Sequence, residues 1–125
     1  MKELVIKKCF KCGAMVEVVE DCKCQNCGIM CCGQPMLAIK ANSSDGAVEK
    51  HLPTYEVVGN YILVRVPHVM EQEHYIEYVA LVSNNINAKK YFKPNEEAKA
   101  VYPYVKGSKL YSYCNKHGLW ATEVK

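Results

Sequence analysis

The chain has 125 residues, half of them apolar, and a net charge of +3. That length suits one ordinary domain or a compact domain with a small appendage, with enough apolar residues for a real core. Only Arg65 among the 16 basic residues is an arginine, which argues against nucleic-acid recognition through arginine forks, and no apolar run reaches the roughly 18 to 20 residues that cross a bilayer.

The first stretch, MKELVIKKCF, is charged and has no apolar core of a signal peptide, so the protein is expected to be cytoplasmic. Residues 1–36 hold seven of the eight cysteines: Cys9, Cys12, Cys22, Cys24, Cys27, Cys31 and Cys32. In a reducing compartment such density points to metal or redox chemistry rather than a disulfide scaffold. Beyond LVI and MVEVV the segment has few large apolar residues. It is too small to fold on packing alone, and metal ligation supplies the missing free energy. CFKCG and CQNCG are two C-x-x-C-G knuckles with rubredoxin or zinc-ribbon spacing, so Cys9, Cys12, Cys24 and Cys27 form one possible ligand set.

From residue 37 the pattern changes to short strands. LAIK is followed by the polar loop NSSDG. TYEVV and YILVRV flank Gly59-Asn60, a two-residue loop suited to a primed hairpin turn. YIEYVALVS, KKYF, AVYPYV, KLYSYC and LWATEV complete the set, and no segment keeps a helical period between caps. Seven or eight strands over residues 37–125 predict an all-β chain whose second domain is an antiparallel sandwich of immunoglobulin-like type.

The four histidines, His51, His68, His74 and His117, fall beside strands, in EKHLP, PHVMEQEHYIEY and YCNKHGLW. A sandwich gathers its loops at two ends, where such residues converge. Cys114 stands more than 80 residues from the other cysteines, and C-x-x-H before a glycine is a usable metal turn. Tyr75, Tyr78 and the sole tryptophan, Trp120, read as packing residues.

Together with CFKCG and CCGQPM, these motifs occur in one order along essentially the whole chain. The sequence resembles desulfoferrodoxin, the two-iron form of the superoxide reductase family. The resemblance implies a desulforedoxin-like Fe(Cys)4 domain over 1–36 and a superoxide reductase sandwich over 37–125. It implies two mononuclear Fe(2+)/Fe(3+) sites per chain: a catalytic iron held by His51, His68, His74, His117 and an axial Cys114, and an N-terminal iron held by Cys9, Cys12, Cys31 and Cys32.

The implied activity is reduction of superoxide to hydrogen peroxide, with electrons from rubredoxin or a similar carrier, in a homodimer. Lys50 would attract the anion and order a proton-donating water, and Glu49 would ligate the oxidised iron. The inserted Cys22, Cys24 and Cys27 depart from the family pattern and leave the knuckle set open. A zinc-ribbon binding module and a pure electron carrier are the alternative functions.

Overall fold

The computed structural model describes residues 2–24 and 28–125. They divide into two compact units, Leu4–Lys40 and Ala41–Lys125, with Lys2 and Glu3 joined to the second.

In the first unit, β1 (Ile6–Lys8) pairs antiparallel with β2 (Met15–Glu17) and β5 (Leu37–Ala38). LAIK therefore does not begin the sandwich, as its sequence position suggests. Two residues carry no readable period, and the pairing to Lys7 and Lys8 is decided across nearly the whole unit. A second hairpin joins β3 (Met30–Cys31) to β4 (Gln34–Pro35). Its loop residues Cys32 and Gly33 have φ of 54° and 74°. Positive φ at both positions marks a type I′ turn, which holds two adjacent cysteines on one tight bend.

The second unit is the expected antiparallel sandwich. One sheet has the order β10-β7-β6 and the other β12-β11-β8-β9. Their strands are β6 (Thr54–Val58), β7 (Tyr61–Arg65), β8 (Ile76–Val82), β9 (Asn87–Tyr91), β10 (Lys99–Pro103), β11 (Lys109–Cys114) and β12 (Gly118–Glu123). The β6–β7 turn has positive φ at Gly59 (60°) and not at Asn60, the pattern of a II′ hairpin. Pro103, which cannot donate to a ladder, sits on the edge strand β10.

Period-two alternation builds the core. Ile62 and Val64 of β7 and Ala100 and Tyr102 of β10 face Val79 and Leu81 of β8 and Leu110 of β11. The Tyr102 hydroxyl donates to the Val79 carbonyl at 2.6 Å, tying the two sheets together.

One element departs from the strand reading. Val48–His51 forms a single helical turn, α1. Four residues are too few to show a helical period in sequence.

Candidate metal centres

Three features carry side chains to one end of the sandwich. The helical turn α1 ends in His51, which is 3% exposed. The connection between β7 and β8 carries His68 and His74, narrowed by an isolated bridge between Glu71 and His74. The end of β11 carries Cys114, and the turn from β11 to β12 carries His117.

Cys114 takes its face from the alternation of β11, and a bulge on β8 sets what lies opposite it. Tyr113 pairs with Tyr78 of β8, but Cys114 pairs with Ile76. Cys114 is fully buried on the face of β11 that also bears Leu110 and Ser112, and the extra residue on β8, Glu77, brings Ile76 opposite it.

The donor atoms of His51, His68, His74, Cys114 and His117 all lie within 4.8 Å of one another. Atoms bonded to one ion at about 2.0–2.3 Å are separated by at most about 4.6 Å, so the group fits a single ion to within a few tenths of an ångström. The imidazoles form a closed square. Ring centroids are 4.7 Å apart for His51–His68, 4.6 Å for His68–His74, 5.1 Å for His74–His117 and 4.9 Å for His117–His51. Each pair meets edge to face. The Cys114 sulfur approaches from the core, 3.5 Å from His68 Nε2 and 3.8 Å from His117 Nδ1.

The hydrogen bonds select which nitrogens face inward. His51 Nδ1–H donates to the Ala47 carbonyl at 2.7 Å, and His68 Nδ1–H donates to the Val69 carbonyl at 2.5 Å. Each bond leaves the Nε2 lone pair for the centre. His74 Nε2 is buried and has no hydrogen-bond partner. An orphaned acceptor costs free energy unless something satisfies it, and a cation does so. Burial, with smaller contributions from nearby imidazoles, lowers the pKa of His68 and His74. Both rings are thereby favoured in the neutral form that binds metal.

Glu49 and Lys50 lie exposed on α1, and Glu49 is not among the converging donors.

In the first unit the sulfurs of Cys9, Cys12, Cys31 and Cys32 also lie within 4.8 Å of one another. Cys12 and Cys31 are 3.7 Å apart, and Cys31 and Cys32 are 3.9 Å apart. Four sulfurs about 2.3 Å from one ion form a tetrahedron with edges of about 3.8 Å. The N–H groups of Cys12 and Lys11 pull the Cys9 thiol down to about 7. Bonds to the Cys12 and Cys9 thiols push Cys31 up to about 12. Four thiols this close cannot all ionise without a cation among them.

The knuckle alternative fares differently. Cys24 is held in a disulfide, so its sulfur is not a thiolate donor. Cys27 lies outside the described residues. Cys22 is free and exposed.

Two supporting residues are absent from the sequence reading. Ser112 donates to the His51 carbonyl at 2.6 Å. Its signal is a polar residue at an inward position of KLYSYC. Asn115 accepts from the Tyr75 N–H at 3.0 Å and donates to the Glu73 carbonyl at 2.9 Å, bracketing His74. Its signal is its place between Cys114 and His117.

Residues 43–123 match the family profile described as Desulfoferrodoxin. A desulfoferrodoxin of Syntrophotalea carbinolica is 35% identical over 126 residues, 98% of either chain. A superoxide reductase of Thermococcus kodakarensis is 33% identical over 112 residues, 71% of this chain and 97% of that one. The crystal structure of the superoxide reductase from Treponema pallidum has a TM-score of 0.71 at 23% identity, covering 98% of this chain and 100% of that one, which is a likeness of fold.

Proposed function

This chain belongs to the desulfoferrodoxin family, and from that premise we propose that it is a superoxide reductase, converting superoxide, one electron and two protons into hydrogen peroxide. The observation that carries the reading is the closed square of four imidazoles backed by one buried cysteine sulfur. Five protein donors exceed the four at which a structural zinc site closes. They are one short of an octahedron, as a centre that must accept a small oxygen ligand requires.

In this reading His51, His68 and His74 hold iron through Nε2, His117 through Nδ1, and Cys114 through sulfur. Iron supplies one-electron chemistry there, and an anionic sulfur ligand raises its electron density. The carbonyls of Ala47 and Val69 keep His51 and His68 in the tautomer that binds. Lys50, exposed and one residue before His51, draws the superoxide anion toward the centre and orders the water that delivers a proton. Glu49 is the carboxylate reserved for the oxidised ion. Cys9, Cys12, Cys31 and Cys32 hold a second iron in four thiolates. Rubredoxin or a similar small carrier is the proposed donor, the cytoplasm the proposed compartment and a homodimer the proposed assembly. Among the described residues no helix is long and apolar enough to cross a membrane.

The test is stoichiometric. Reduced, iron-loaded protein is mixed with pulse-generated superoxide, and peroxide formed is counted against electrons consumed. One peroxide per electron, with no oxygen released, is the expected result. Oxygen release at half the superoxide consumed would make it a dismutase. Reversible colour changes without peroxide would make it an electron carrier.

A further inference from the structure

His51 and His117 are the two histidines furthest apart in sequence. They come from α1 and from the β11–β12 turn, and they present His51 Nε2 and His117 Nδ1 to each other at 3.1 Å. One side chain without a donor atom for the ion touches both residues. The Trp120 indole stacks on the His51 ring with centroids 4.9 Å apart and planes 22° from parallel. Its Nε1–H donates to the His117 carbonyl at 3.1 Å. The side chain is 2% exposed, so it cannot yield to a moving neighbour without opening the core.

His51 has two other restraints. Its carbonyl is held by the Ser112 hydroxyl, and its Nδ1–H by the Ala47 carbonyl. These anchor the backbone and one ring edge. Neither supports the flat face of the imidazole. Among the described residues, the indole supplies the one side-chain hydrogen bond that fixes the His117 backbone.

We propose that Trp120 is a positioning residue of the five-donor centre, its face setting the plane of His51 and its N–H setting the backbone at His117. It assigns to one residue the task of keeping two donors from distant elements in register for one ion. Simple core packing requires the apolar area of an indole but not an N–H aimed at the residue that bears a donor. The inference rests on the metal-binding reading above. Outer partners of metal ligands are worth about 10- to 100-fold in metal affinity, and the surviving Ala47 and Ser112 bonds put this case at the lower end.

The test uses the full iron-loaded chain and two variants. Trp120→Leu removes both the face and the N–H; Trp120→Phe keeps a flat ring and loses the N–H. Transfer of iron to a chelator is followed at both centres by their separate ferric absorption bands, with the tetrathiolate centre of Leu4–Lys40 as the internal reference. Expected for Trp120→Leu is about 10-fold faster loss from the five-donor centre, with a shifted thiolate-to-iron band and an unchanged tetrathiolate rate. Trp120→Phe should fall between it and the unaltered protein, at about threefold.

A residue that only fills space would lower the melting temperature of both variants and leave release rates and band positions alone well below it; that result overturns the proposal. Should Trp120→Leu not fold, Trp120→Phe decides on the same readouts, and a release rate and band equal to those of the unaltered protein overturn the proposal. Failure of the unaltered protein to take up iron at this centre would instead defeat the functional reading itself.

Discussion

Replacing Asn115 with alanine should weaken metal binding without removing any donor. Its side chain makes two hydrogen bonds, from the Tyr75 N–H at 3.0 Å and to the Glu73 carbonyl at 2.9 Å, one on either side of His74. A neutral bond contributes about 1 kcal/mol net, so the bracket contributes about 2 kcal/mol. The backbone bond from Asn115 N–H to the Tyr75 carbonyl, at 3.3 Å, remains and keeps the two segments adjacent. What is lost is the pre-organisation of His74, which the ion must then restore on binding. At 1.4 kcal/mol per decade, 2 kcal/mol is a drop of about 30-fold in affinity as an upper limit. Asn115→Asp keeps the acceptor for Tyr75 and loses the donor to Glu73, so about fivefold is expected. The assay is competition for Co(2+) or Fe(2+) against a chelator of known affinity, beside a thermal melt of the apo-protein. An affinity for Asn115→Ala within twofold of the unaltered protein would refute the reasoning, whatever the melt shows.

Three further outcomes test other parts of the structure. Cys24→Ser should leave the visible band of a ferric tetrathiolate intact and Cys31→Ser should abolish it; the reverse pattern would restore the knuckle arrangement. Lys50→Ala should slow superoxide capture about fivefold and flatten its dependence on ionic strength, as measured by pulse radiolysis; an equal bimolecular rate removes the steering role. Burial pushes the Tyr102 hydroxyl up to about 12, against about 10 in the unfolded chain. The folded state therefore holds its proton longer, so this stability is complete below pH 10 and is lost as pH rises through about 12, by up to about 3 kcal/mol. Tyr102→Phe should be about 1 kcal/mol less stable at pH 7, lacking the bond to Val79, and should lose less stability between pH 10 and 12 in denaturant titrations.

The sandwich strands are legible in the sequence because their signal is local. Tyr61–Arg65 alternates outward and inward residue by residue, and Gly59-Asn60 supplies the backbone that a tight hairpin needs. The type of that turn is less legible, since either primed form accepts the pair, and only the φ of Asn60 separates them. Val48–His51 escapes notice because a single turn has no period. Leu37–Ala38 is misplaced because a two-residue strand belongs to whichever edge accepts it, here β1. The inserted cysteines show the same limit: CQNCG has the spacing of a ligand pair, and spacing does not report that Cys24 is held in a disulfide.

Residue chemistry and motif order along the chain are enough to identify the family, the division into a cysteine-rich segment and a β-sandwich, and the histidines and cysteine that bear donors. They say nothing of how those donors meet. His51 and His117 come within 3.1 Å across 66 residues of chain, a bulge on β8 sets Ile76 opposite Cys114, and Asn115 and Trp120 brace His74 and His51 from other elements. Spacing along a chain constrains only near neighbours. Distances between remote residues are set by which strands pair, in what register, and by what the packed core will not let move.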